Sequence, residues 1–203
     1  MQLPGREGRI GESPYANIPT LARELVNALS GLVNELPFAL FGHSNGALIA
    51  FEVALELRRR GFPTPIHLFV SASRAPHVPC RRPLIARLPE AEFIQEVLQL
   101  NGSPSEVFED REFTKLILPA LRADFAMNEN YERSPSGALA CPVTALLGAQ
   151  DDRLAPKDIA EWSVYTSSSF DSVVIDGDHF FLRSHPQKVV AVIESRMLFS
   201  LGH

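Results

Sequence analysis

The sequence predicts an α/β fold in which a mostly parallel sheet carries helices on both faces. Three observations support this class. Four short apolar runs resemble buried strands, helical spacing alternates with them, and a content of 45% hydrophobic and 21% charged residues is typical of globular proteins. A chain of 203 residues can bury one substantial core, so we expect a single domain over residues 1–203.

The first part of the chain predicts a loop, a helix, a strand and a second helix. Residues 1–17 are rich in Gly and Pro, which favours a loop. Apolar residues at helical spacing predict a helix over 18–32. The run "FALFG" at 38–42 is wholly apolar and predicts a strand covered on both faces, and helical spacing returns over 47–60.

Three further apolar runs predict the rest of the sheet. They are "IHLFVSA" at 66–72, "PVTALLG" at 142–148 and "DSVVID" at 171–176. A helical segment over 156–165 separates the last two runs, and a final helix is expected over 186–199. Strands that alternate with helices in this way imply parallel pairing.

The long interval at 74–140 breaks this alternation. It holds helical patterns at 91–100 and 112–128, joined by Pro, Gly and Ser. Long excursions between core elements are commonly active-site lids, so we predict a helical lid insertion here. The alternative is a helical layer that only packs on the rest of the domain.

Charge, cysteine content and hydropathy argue against several function classes. A net charge of −5 and a pI of about 5.7 argue against a nucleic-acid partner, which requires clustered excess Lys and Arg. Cys80 and Cys141 match no zinc spacing, and we expect no metal. No run approaches membrane-spanning length and "MQLPGREGRI" lacks a signal-peptide core, so we expect a cytoplasmic protein that does not bind membranes.

Residues 42–46 carry the first chemical motif, Gly42-His43-Ser44-Asn45-Gly46. It matches the pattern Gly-x-Ser-x-Gly and lies between a predicted strand and a predicted helix, which is where a serine nucleophile sits on a sharp turn. The start of the following helix brings main-chain N–H groups close to any negative charge that develops on the substrate. We expect His43 to point away from Ser44.

A serine hydroxyl is a weak nucleophile until a base accepts its proton. Asp151 follows the third predicted strand and His179 follows the fourth, at the sheet edge where α/β proteins build their sites. The order Ser, acid, His is the one that this strand–turn–helix motif requires. We therefore predict Ser44 as the nucleophile, His179 as the general base and acid, and Asp151 as the residue that orients the imidazole. Asp152 is the nearest competitor for that last role.

Several stretches resemble the type II thioesterases of polyketide and nonribosomal peptide assembly lines, within the α/β-hydrolase superfamily. They are "QLPGREGRI", "FALFGHSNGALIAFE", "HLFVSASRAPH", "LPALRADFAMNENY" and "GDHFFL". The stretches are distributed over nearly the whole chain, so the resemblance is more specific than the serine motif alone. It implies the same triad of Ser44, Asp151 and His179, and a helical lid near 74–140.

The resemblance also implies a substrate, a partner and a role in antibiotic biosynthesis. The expected reaction is hydrolysis of stalled or incorrect acyl groups held on the phosphopantetheine arm of an acyl or peptidyl carrier protein. The enzyme itself is expected to need no cofactor and to be a monomer. Apolar lid residues are candidates for lining an acyl channel, although ordinary core packing is the alternative for each: Phe93, Val97, Leu116, Leu121 and Phe125.

The sequence departs from the family at its N-terminus. One oxyanion donor is expected to be the main-chain N–H of Asn45, and the family carries the second in a Gly-rich segment that precedes "QLPGRE". Because this chain starts at "MQLPGRE", we expect that segment and its strands to be missing. Three hypotheses remain: a shortened thioesterase, an impaired form that only binds a carrier protein, and a general serine esterase or acyltransferase.

Overall fold

The computed structural model of the protein describes residues 2–80, 83–100, 105–135 and 137–200. The chain forms two compact units. The first combines Met1–Ile18 with Cys80–Tyr131, and the second combines Pro19–Pro79 with Glu132–His203. The prediction of a single domain with a lid at 74–140 stays a prediction.

The second unit is built on a four-stranded sheet. Its strands are β1 (Ala39–His43), β2 (His67–Ser71), β3 (Val143–Gly148) and β4 (Phe170–Ile175), and all three neighbouring pairs are parallel. The strands lie in the order β1-β2-β3-β4. The parallel α/β class and the four predicted strands are therefore confirmed, with bounds shifted by about one residue.

Helices cover both faces of this sheet. Leu68, Phe69 and Val70 of β2 point alternately to opposite faces, yet none is more than 1% exposed. In chain order the helices of the second unit are α1 (Ile18–Leu29, without its first residue), α2 (Asn45–Arg59), α5 (Pro156–Ala160), α6 (Phe181–Ser184) and α7 (Pro186–Ser200). Helices α3 (Glu90–Gln99) and α4 (Arg111–Glu129) belong to the first unit. No helix in the described ranges is long and apolar enough to cross a bilayer.

Strand β1 differs from its prediction, because it is not covered on both faces. Its apolar run favoured a fully buried strand, but Phe41 is 37% exposed and only Gly42 is buried. The reason is its place in the sheet. Within the part of the chain that the structure describes, β1 pairs with β2 alone, so it is an edge strand.

The first unit is helical and has its own core. Helices α3 and α4 match the predicted patterns, and Asp110 begins α4 by accepting hydrogen bonds from the N–H groups of Glu112 and Phe113. The N-terminal segment, predicted as a loop, also contains a short turn of 3₁₀ helix at Glu7–Arg9. Arg6 joins this segment to α4, since its guanidinium donates two hydrogen bonds to the carboxylate of Asp124.

A buried histidine ties the sheet to the last helix. His67 is 3% exposed, and its ring stacks on Phe69 with 4.3 Å between ring centroids. Its two ring nitrogens form hydrogen bonds with the hydroxyls of Ser200 and Thr144, at 3.0 and 2.9 Å. Burial, with a smaller contribution from the charge of Arg196, lowers the pKa of His67 to about 4.

We expect this histidine to make the protein less stable in weak acid. In the unfolded chain this histidine binds a proton below its ordinary pKa of 6.5, whereas folded His67 stays neutral down to about pH 4. The free energy of unfolding therefore falls as the pH is lowered from about 6.5 to about 4. The loss from one such histidine between pH 7.5 and 5 is roughly 2 kcal/mol. Urea unfolding at both pH values should show a smaller loss for His67→Gln than for the unmodified protein. An equal loss would contradict the prediction.

Candidate active site

The turn between β1 and α2 holds Ser44 in a strained backbone conformation. Its φ of 54° and ψ of −121° lie in a region that side-chain-bearing residues rarely adopt. The Ser44 N–H donates to the main-chain oxygen of Ser71 at 2.8 Å, which fixes the turn to the end of β2. Gly42 permits the turn, because a Cβ at this position would lie 1.9 Å from the main-chain oxygen of Gly46.

Ser44, His179 and Asp151 form one chain of hydrogen bonds within the second unit. The His179 Nε2 lies 3.2 Å from the Ser44 hydroxyl oxygen, and the His179 Nδ1 lies 2.8 Å from Asp151 Oδ2. The Ser44 hydroxyl forms no capping hydrogen bond with α2 and faces the imidazole instead. Asp151 and His179 are each 7% exposed. The structure thus brings together the three residues that the sequence predicted.

The charge on Asp151 sets the direction of the hydrogen bonds. Burial opposes ionisation of this carboxyl, but the hydrogen bond from His179 and that from the Arg153 N–H outweigh it, and the pKa of Asp151 is lowered. An ionised carboxylate only accepts hydrogen bonds, so the Nδ1 of neutral His179 carries the proton. Its Nε2 is then an acceptor and can take the Ser44 proton.

Two loops are fixed to each other so that the acid and the base meet. After β3 and β4, the N–H groups of Ala149 and Gln150 donate to the main-chain oxygens of Ile175 and Gly177, at 2.8 and 2.9 Å. A Cβ at Gly148 would lie 2.4 Å from the main-chain oxygen of Asp178, so this close approach requires glycine. These contacts between the two loops place Asp151 within hydrogen-bonding distance of His179.

Comparison with known proteins identifies the family. A model of the family described as "Thioesterase domain" matches residues 1–197. The linear gramicidin dehydrogenase LgrE of Brevibacillus parabrevis is 42% identical over 200 residues, which are 97% of this chain and 76% of that protein. The chain belongs to the thioesterase family.

Two solved thioesterases have the same fold as this chain. RedJ, from the prodiginine pathway of Streptomyces coelicolor, is 39% identical with a TM-score of 0.83, and the match covers 100% of this chain and 77% of RedJ. YbtT, a type II thioesterase of the yersiniabactin pathway, is 32% identical with a TM-score of 0.90 over 98% of this chain and 81% of YbtT. The prediction of a type II thioesterase is confirmed, and the protein is a hydrolase of thioesters.

The structure also shows the positions of Asp152 and Asn45, two further residues that the sequence predicted for the site of this thioesterase. Asp152 is exposed, and both ring nitrogens of His179 are already bonded to other residues. The geometry therefore favours Asp151 over Asp152 as the partner of the imidazole. Asn45 is the first residue of α2, directly after Ser44, and its role as an oxyanion donor stays a prediction.

The five candidate lining residues of the thioesterase all lie in the first unit. Phe93 and Val97 are buried in its core, while Leu121 and Phe125 pack against that core from partly buried positions. Leu116 is 54% exposed. Core packing accounts for the first four positions, and an acyl-lining role for any of the five stays a prediction.

His43 is a neighbour of the thioesterase's site that the sequence did not predict. It makes no hydrogen bond to Ser44, but its ring lies 5.3 Å from the His179 ring, measured between centroids. The sequence predicted that the His43 side chain points away from Ser44, and its Nδ1 bonds to Ser71 instead. That prediction gave no signal for this ring contact, because the contact depends on where the loop after β4 returns to the sheet. Among the described residues, no group of three or more His, Cys, Asp or Glu side chains is arranged to hold a metal.

Proposed function

We propose that this thioesterase hydrolyses stalled or incorrect acyl groups from the phosphopantetheine arm of an acyl or peptidyl carrier protein. The hydrogen-bonded chain from Ser44 through His179 to Asp151 is the observation that carries the proposal. It supplies a nucleophile, a base and a group that orients the base, which are the side-chain groups that acyl transfer through an acyl-enzyme uses. Membership of a family with relatives in peptide and polyketide assembly supports the substrate class.

The first step forms an acyl-enzyme. His179 Nε2 accepts the Ser44 proton while the serine oxygen attacks the thioester carbonyl. The tetrahedral intermediate collapses with cleavage of the carbon–sulfur bond, and the proton passes from His179 to the departing pantetheine thiolate. Asp151 keeps the imidazole in the required orientation and stabilises its positive charge while the proton is held.

The second step releases the acyl group. His179 accepts a proton from water, which attacks the ester carbonyl of acylated Ser44. Collapse of this second intermediate breaks the bond to the serine oxygen, and His179 returns the proton to Ser44. The products are a free acid and a carrier protein whose thiol is available again.

The remaining features of the proposal concern the surroundings of the reaction. The phosphopantetheine arrives with the substrate, so the chemistry requires no cofactor bound by the enzyme itself. The N–H of Asn45 would donate to the oxyanion, and the helical segment near 74–140 would contribute apolar residues to an acyl channel. We also propose that the enzyme acts as a monomer in the cytoplasm.

The test is turnover of an acyl group on a phosphopantetheinylated carrier protein. We expect Ser44→Ala to lower the rate by at least about 10⁴-fold, while Ser195→Ala, on an exposed turn of α7, leaves it unchanged. Mass spectrometry of the quenched reaction should detect an acyl adduct on Ser44. Full activity in Ser44→Ala would contradict the mechanism. Carrier binding without release would indicate a binding module, and faster hydrolysis of a matched oxyester would indicate a general esterase.

A further inference from the structure

The side chain of His43 is fixed behind the proposed catalytic base. Its Nδ1 lies 2.9 Å from the hydroxyl oxygen of Ser71, which is fully buried at the end of β2. Phe181 contacts the same ring edge-on, with 5.6 Å between centroids. His43 Nε2 is buried and forms no hydrogen bond of good geometry among the described residues, although the ring interacts with the main chain of His179. A buried ring nitrogen that lacks a well-formed hydrogen bond costs free energy, so hydrogen bonding alone does not account for a histidine at this position.

Two rings contact the His179 imidazole. His43 lies against it at 5.3 Å with a tilt of 58°, and Phe180 meets it nearly perpendicularly, at 5.2 Å and 88°. The hydrogen bond to Asp151 restrains one nitrogen of His179, but it does not by itself fix the plane of the ring. Contacts between rings with different tilts restrict rotation about the side-chain bonds, so His43 and Phe180 limit the orientations in which Nε2 can face Ser44.

We propose that His43, held by Ser71, is a positioning residue that keeps the His179 imidazole aligned with Ser44. This inference rests on the proposed function, because it assigns a support to the base of that reaction. It adds a residue with no proton-transfer role, which acts by contact with the base. Alignment matters because a small displacement of a reacting group can lower a rate by a large factor.

A neutral His43 suits this role. Burial, followed by the charge of the neighbouring His179, lowers the pKa of His43 to about 4. The His179 main chain and the nearby Asp151 carboxylate oppose that shift, and Arg153 adds to it. The ring therefore carries no charge near neutral pH. A positive charge at this distance would repel the imidazolium that forms during each step of the reaction. The environment of His43 thus provides a rigid polar ring without that penalty.

The test separates the ring of His43 from its hydrogen bond. His43→Phe keeps a ring but removes the bond to Ser71, and His43→Asn places a polar atom near the position of Nδ1 but removes the ring. We expect His43→Asn to lower kcat about 10-fold with KM within about twofold, and His43→Phe to retain most of kcat. Ser71→Ala, which frees the native ring, should fall between them.

A second readout is independent of carrier and acyl binding. The rate at which a small fluorophosphonate labels Ser44 should fall in the same order as kcat, because labelling also needs an aligned His179. Circular dichroism checks that each variant is folded, and Ser71→Ala keeps the test decisive if a His43 variant is not. Normal kcat and labelling in His43→Asn, or equal losses in His43→Phe and His43→Asn, would overturn the proposal. Full activity in Ser44→Ala would instead overturn the proposed function beneath it.

Discussion

Asp151→Asn is expected to lower thioester turnover by on the order of 10³- to 10⁴-fold while leaving the protein folded. Asn has the same shape as Asp, but its amide group can donate a hydrogen bond to His179 Nδ1. That bond favours the tautomer in which Nε2 carries the proton, and Nε2 then cannot accept the proton of Ser44. Because the Asp151 side chain is buried and bonds to His179, we expect the loss to appear in kcat more than in KM.

Asp152→Asn is the matched control for this change. It alters the next residue by the same substitution, but the Asp152 side chain is exposed and the imidazole nitrogens are bonded to Asp151 and Ser44. We expect kcat within about twofold of the unmodified enzyme, as is usual for an exposed substitution. Steady-state kinetics on one thioester measures both variants. Equal losses, or a larger loss in Asp152→Asn, would reassign the acid.

The site was predictable because its parts are local and their meeting place is set by topology. A Gly-x-Ser-x-Gly turn needs only a strand before it and a helix after it, and the spacing of apolar residues in the sequence predicts both. Asp151 and His179 each follow a predicted strand. Since parallel strands end at one edge of the sheet, the three residues were expected near one another without any knowledge of the loops.

Other features depend on contacts between distant parts of the chain. The apolar run of β1 predicted a strand covered on both faces, but Phe41 is partly exposed, because one strand does not encode its place among the other strands. The paired hydrogen bonds between Arg6 and Asp124 join residues that are 118 positions apart in the sequence. His43 is likewise defined by a loop that returns from beyond β4. In each case the local pattern fixes an element, and tertiary packing decides what that element touches.

Gly42→Ala is expected to be the most damaging single-methyl addition in the nucleophile turn. The new Cβ would lie 1.9 Å from the oxygen and 2.2 Å from the carbon of the Gly46 carbonyl, and 2.5 Å from the Ala47 nitrogen. These are backbone atoms at the start of α2, so no rotation of a side chain relieves the overlap. Either β1 or α2 must shift, and we expect a loss of about 3 kcal/mol or more in unfolding free energy, with loss of turnover.

Gly46→Ala tests whether that loss arises from space or from the mere removal of glycine. A Cβ at Gly46 meets nothing within 4 Å, and the residue lies inside α2, where alanine is favoured over glycine by up to about 1 kcal/mol. We therefore expect Gly46→Ala to be as stable as the unmodified protein or slightly more so. Urea unfolding of both variants gives the comparison. Similar stabilities for the two would mean that the turn yields to a methyl group, and that the strained geometry of Ser44 does not depend on the closeness of β1 to α2.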